Sequence, residues 1–156
     1  MYDLSQMEYK QDPFMNIDVT KERLRTELKK YGRLIIAYDF DYTLHSYRDE
    51  SYTYEFISQL IRDWRPYAKF IVFTASTITR YPYIRTYLES RGIPYDTINE
   101  EIFERQRTRK LYYNIFLDDR AGLRETALIL KDLLEEIKEG KLIPGENKEQ
   151  DYKYSV

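Results

Sequence analysis

Leu34-Ile35-Ile36-Ala37-Tyr38-Asp39-Phe40-Asp41-Tyr42-Thr43 sets an unbroken apolar run directly before two aspartates and a threonine. A strand with one wet face alternates polar and apolar side chains, whereas a parallel strand covered on both faces is apolar throughout. The stretch therefore reads as a buried strand that delivers Asp39 at its carboxyl end.

The same pattern recurs outward from it. Thr20 can cap a helix that carries Leu24, Leu28 and Tyr31 on one face and stops at Gly32. On the other side, Phe56, Ile57, Leu60, Ile61 and Trp64 recur at helical spacing from Tyr54, and Pro66 prevents continuation. A second apolar strand, Phe70-Ile71-Val72-Phe73, ends at Thr74. Pro82 opens a helix with Ile84, Tyr87 and Leu88, stopped by Gly92 and Pro94, and 95–98 reads as a short strand. Tyr113-Asn114-Ile115-Phe116-Leu117 ends at Asp118-Asp119, and a helical stripe of Leu123, Ala127, Leu130, Leu134 and Ile137 then runs to Gly140.

Strands alternating with helices predict an α/β fold: a three-layer α/β/α, Rossmann-like parallel sheet with right-handed crossovers. In such sheets ligands bind beyond the carboxyl ends of the strands, where Asp39, Thr74 and Asp118-Asp119 all fall. The reading divides the chain into a lead-in over 1–19, one domain over 20–140 and a polar, loosely docked tail over 141–156. With 156 residues, 42% of them hydrophobic, there is room for a real core but little for a second folded unit.

Composition narrows the chemistry. The chain has no cysteine, so thiolate metal sites and cysteine nucleophiles are excluded, and a metal would be held by oxygen or by the single histidine, His45, which makes hard cations such as magnesium the default. The formal charge of -2, from 25 basic and 27 acidic residues, is not that of a dedicated polyanion binder. No apolar run approaches the roughly 20 residues that span a bilayer, and the first residues lack a secretory pattern, so a cytoplasmic protein without a membrane partner is expected. The 17 tyrosines are read mainly as half-buried packing residues.

Taken alone, Asp-x-Asp-x-Thr is a weak pattern, because acidic residues also begin loops by forming turns. Three strand ends that agree in carrying oxygen-bearing side chains weigh more. The sequence resembles the haloacid dehalogenase-like (HAD-like) phosphohydrolases through Asp39-Phe40-Asp41-Tyr42-Thr43, Thr74 in Phe73-Thr74-Ala75-Ser76, Lys110, and Asp118-Asp119 in Phe116-Leu117-Asp118-Asp119-Arg120, all in the family's order. Many members have glycine in place of Tyr42; the tyrosine form is similar to that of the small magnesium-dependent phosphatases of the superfamily.

The resemblance implies a magnesium-dependent phosphomonoester hydrolase with no large cap domain. Asp39 would be the nucleophile, forming an aspartyl-phosphate, and Asp41 the general acid and base. Mg2+ would be held by Asp39, Asp119 and the backbone carbonyl of Asp41, with Asp118 acting directly or through water. Thr74 would bind the phosphoryl oxygens and Lys110 would supply positive charge, although the neighbouring Arg107 and Arg109 leave the identity of that cation open. Thr43, Ser76 and Arg80 are candidates for substrate binding, Thr43 alternatively stabilising its own loop. His45 is left out of the catalytic set as a loop histidine.

Neither the span between Thr43 and Thr74 nor that between Thr74 and Lys110 has room for a cap beyond the elements already placed, leaving a flap over 44–53. An open site admits several partners. A nucleotide or other small phosphomonoester is the first expectation and a 3'-phosphorylated nucleic-acid end the alternative, with a non-catalytic binding module third. Tyr47, Tyr52 and Tyr54 could stack on a ring, and Arg105, Arg107 and Arg109 could hold a phosphate backbone.

Overall fold

The computed structural model describes residues 13–46, 48, 53–103 and 109–150. Strand β1 (Leu34–Tyr38) is buried at every position, as its apolar run requires. It pairs in parallel with β2 (Ala68–Val72) on one side and β4 (Ile115–Leu117) on the other, and β3 (Thr97–Ile98) extends the sheet beyond β2. The order is β3-β2-β1-β4, all parallel, so the fold is α/β and Rossmann-like. After β3 the chain returns across β1 to form β4, which makes the β1/β4 boundary the point where strand order reverses and a crevice opens.

Alternate strand residues sort into two cores. Leu34, Ile36, Tyr38, Phe70, Val72 and Leu117 face the helices α1 (Ile17–Tyr31), α2 (Glu55–Trp64), α3 (Tyr81–Ser90) and α4 (Leu123–Lys138). Each fully buried aliphatic side chain there contributes about 1.5–3 kcal/mol. Trp64 is wholly buried in this core, its indole N–H donating to the Leu130 carbonyl at 3.1 Å. Ile35, Ala37 and Ile71 point the other way, against Leu111, Ile102, Phe103, Tyr112 and Tyr113. The covering of this second face is, among the described residues, irregular chain from the β3–β4 connection in place of a helix. Aromatic rings are large enough to shield the strand without regular structure, so the strand's apolar pattern reveals burial but not the kind of cover.

The helices begin and end for local reasons. α1 starts at Ile17, because Asn16, not Thr20, is its cap: the Asn16 carboxamide accepts the Asp18 N–H at 2.9 Å. It ends where Gly32 takes a left-handed φ of 75° and its N–H bonds the Leu28 carbonyl at 2.8 Å.

Residues 141–150 depart most from expectation. Instead of a loose tail, Leu142 enters the main core, Gly145 N–H donates to Leu28 O at 3.2 Å and Lys148 N–H to Tyr31 O at 2.8 Å. Gln150 is buried and donates to Arg33 O and to Asn114 Oδ1, while Asn114 Nδ2 donates to Gln150 Oε1. Asn114 also receives the Ile35 N–H on Oδ1 at 2.6 Å and donates its own backbone N–H to Ile35 O at 2.8 Å. A polar stretch without periodicity can dock in this way when its amides find buried partners, which composition does not reveal. The Asn114 bracket pins the amino ends of β1 and β4, and hence the register that sets Asp39 beside Asp118 and Asp119.

Candidate active site

Asp39 follows β1 directly, and its backbone N–H donates to Leu117 O at 2.9 Å, continuing the ladder to β4. β4 ends at Leu117, and Asp118 and Asp119 follow it directly. One carboxylate oxygen from each of Asp39, Asp118 and Asp119 lies within 4.8 Å of the others. Burial first, then the charges of Asp118 and Asp119, push the Asp39 carboxyl up to about 7, against the lowering effect of the Phe40 N–H. Three converging carboxylates suit a hard divalent ion, and oxygen donors of this kind fit Mg2+.

The loop after Asp39 turns sharply. Tyr42 N–H donates to His45 O at 2.8 Å and Leu44 N–H to Phe40 O at 3.0 Å. Tyr42 itself has a φ of 62°. A side chain in this left-handed region costs about 1–2 kcal/mol, whereas glycine adopts it freely, which accounts for the glycine that many of the phosphohydrolases resembled above carry here. Thr43 is wholly buried and brackets the two acidic loops: its hydroxyl accepts the Asp119 N–H at 3.2 Å and lies 3.4 Å from Asp119 Oδ1. Thr43 thus positions Asp119, and it is not among the described residues that line the cavity beside it.

Asp41 is held in a network that the spacing of motifs did not reveal. Arg80 grips its carboxylate with both guanidinium nitrogens, Nη2 donating to Oδ1 at 2.8 Å and Nη1 to Oδ2, and Nη1 also donates to Ser76 Oγ at 2.8 Å. His45 Nδ1 lies 3.3 Å from Asp41 Oδ1, and His45 Nε2 lies 2.8 Å from the Tyr83 hydroxyl. Burial would raise the Asp41 pKa, but Arg80 and then His45 outweigh it and hold Asp41 below the ordinary carboxylate range. Burial also lowers the His45 pKa. A neutral ring beside an ionised Asp41 carries its proton on Nδ1, and Nε2 then accepts from Tyr83. His45 is therefore part of the site, stacked on Phe40 with ring centroids 4.9 Å apart.

Thr74 follows β2 and is buried. Asn99 holds both of its backbone groups, accepting the Thr74 N–H at 2.8 Å and donating Nδ2 to Thr74 O at 2.7 Å. The Thr74 hydroxyl accepts from Ser76 N–H at 3.1 Å, so its own proton is available to a ligand. Asn99 has a φ of 53°, a conformation asparagine tolerates, and an asparagine immediately after a strand was the signal for it.

Asp39, Asp41, Thr74, Ser76, Arg80, Asp118 and Asp119 line one cavity of about 820 Å³ at the carboxyl ends of the strands, joined by Arg120. Lys110 is exposed and is not among the residues that line it. Among the described residues, the cations on the cavity wall are Arg80 and Arg120. A second cavity of about 990 Å³ lies beside the first, lined by His45, Tyr54, Tyr83, Tyr87 and Arg91 among others. Tyr47, Tyr52, Arg105 and Arg107 lie outside the described residues, and the flap over 44–53 does so in part.

One solved structure, of a conserved protein coded by a locus of Bacteroides thetaiotaomicron, matches this chain with a TM-score of 0.52 at 23% identity, covering 70% of this chain and 93% of that one. The likeness is one of fold. No family model and no curated protein matches the chain. Among the described residues, no helix is long and apolar enough to cross a membrane.

Proposed function

We propose that the chain is a magnesium-dependent phosphomonoester hydrolase of the HAD-like type, working through an aspartyl-phosphate on Asp39. The observation that carries this reading is the convergence of Asp39, Asp118 and Asp119 at the strand-order reversal, with Asp39 raised in pKa by burial and like charge. Such a cluster repels an anionic substrate by itself and becomes a phosphate site once a divalent cation joins it. Bound Mg2+ would neutralise charge between Asp39 and the phosphoryl group and align them. Asp39, Asp119 and Asp118 would hold it with their carboxylates, together with the Asp41 carbonyl.

Asp39 attacks phosphorus, forming an oxygen–phosphorus bond as the ester bond breaks, and Asp41 gives its proton to the leaving oxygen. Asp41 then takes a proton from water, which attacks the phosphorus of the aspartyl-phosphate and regenerates Asp39. For the first transfer Asp41 must be protonated, so Arg80 has to leave its carboxylate. The phosphoryl oxygens in the same cavity offer Arg80 a second anionic partner, and Thr74 donates its hydroxyl to them.

Phosphate release from an aryl phosphate, measured with and without magnesium, tests the reading. Wild type should turn over only with the metal, and Asp39→Asn should lose turnover while staying folded. Magnesium-dependent release that survives in Asp39→Asn would remove the nucleophile from the scheme.

A further inference from the structure

Tyr42 sits in backbone that glycine would occupy without strain, at a φ of 62°, and it lines the cavity that holds Asp39 and Asp41. It is 38% exposed. Among the described residues its hydroxyl has no hydrogen-bond partner and its ring stacks on no other ring. Its backbone N–H closes the turn, a contact that glycine would make equally well. Among the described residues, no side-chain hydrogen bond or ring contact of Tyr42 offsets the strain, and strained residues at reactive cavities commonly serve the ligand.

The reaction chemistry indicates which part of the ligand. Tyr42 lines the same cavity as Asp41, which protonates the leaving oxygen, so the group beyond that oxygen shares the cavity with the Tyr42 side chain. Phe73 and Phe116 line the same cavity, their ring centroids 5.5 Å apart, and Arg80 and Arg120 add cations. Aromatic walls beside cations favour a flat ring joined to an anion over an aliphatic chain.

We propose that Tyr42 is a specificity-determining residue that stacks on a flat ring in the leaving group, making the substrate class ring-bearing phosphomonoesters. This rests on the hydrolase reading above. The ring can be a nucleobase or a simple aryl group, and the experiment separates the two.

Wild type, Tyr42→Gly and Tyr42→Phe are compared in magnesium on a nucleoside monophosphate, phenyl phosphate and glycerol phosphate, with KM and kcat read separately. Tyr42→Gly relieves the strained backbone, so its melting temperature should not fall. Its KM should rise about tenfold on ring-bearing substrates and stay within about twofold on glycerol phosphate, in keeping with stacking energies. Tyr42→Phe keeps the ring and should keep the wild-type KM. A rise on the nucleotide alone assigns the nucleobase, and a rise on both ring-bearing substrates assigns any flat ring. An equal rise on all three substrates, no rise on any, or a Phe variant that behaves like Gly overturns the proposal. Absence of wild-type turnover on all three would instead overturn the hydrolase reading and this inference with it.

Discussion

Replacing Asp39 with asparagine should stabilise the metal-free protein while abolishing its activity. In the fold Asp39 titrates at about 7, against an ordinary value of 3.8. The difference of about three pKa units corresponds to about 4 kcal/mol, and partial solvent exposure of the group reduces this to about 2 kcal/mol. The sign follows from the direction. Because the folded-state pKa is raised, the folded protein holds its proton more tightly than the unfolded chain, so stability falls as pH rises from about 4 to about 7 and is level above. Asparagine cannot ionise and escapes that loss, yet its carbonyl can still accept the Phe40 N–H. In a chelator at pH 8, Asp39→Asn should therefore melt about 4–8 °C above wild type, given about 2–4 °C per kcal/mol for a domain of this size. At pH 4.5 the gap should largely close. Magnesium at pH 8 should raise the melting temperature of wild type more than that of the variant, since binding to the native state stabilises by mass action. Thermal melts followed by circular dichroism read all three comparisons. A variant that melts at or below wild type at pH 8 in chelator would refute the argument that these carboxylates repel one another in the fold.

Two further outcomes follow from the contacts around the site and the tail. Arg80→Met removes the guanidinium that keeps Asp41 ionised, so Asp41 should stay protonated to higher pH, and the alkaline limb of the kcat profile should move upward even as kcat/KM falls about tenfold or more; an unshifted limb would separate Asp41 from the proton transfer. Gly145→Ala would put a methyl group 1.9 Å from Lys29 O, so it should cost about 1–3 kcal/mol and lower the melting temperature, with kcat retained at temperatures where the protein is folded; an unchanged melting temperature would contradict the docking of 141–150.

Burial was legible wherever it came with periodicity. The unbroken run 34–38 predicts a strand covered on both faces, and α2, α3 and α4 follow their apolar stripes to within a residue or two. Asp39, Asp41, Thr74, Ser76, Arg80, Asp118 and Asp119 could be grouped because each lies just beyond a strand end or in the loop that follows it. Contacts made by polar side chains across long sequence separations were not legible. Nothing near Thr43 announces that its hydroxyl holds the Asp119 loop, and His45 looks like a surface residue until the turn from Phe40 to His45 folds it back onto Asp41. Asn114 and Gln150 are invisible for the same reason, since hydrogen bonding and not periodicity fixes where they lie. Asn16 escaped because the first turn of α1 is exposed and adds nothing to the apolar stripe.

The Asn114 bracket lies at the opposite end of the sheet from the acidic cluster. Fastening and reactivity are thus assigned to opposite poles of the same short strands. Substitutions that tighten the fastened pole can be accumulated without entering the cavity, and the loops beyond Asp39, Thr74 and Leu117 can be rewritten for a new ligand while the register that aims them is kept by residues those changes never touch. The chain is in that sense already divided, as an engineer would want it, into a chassis and an exchangeable head.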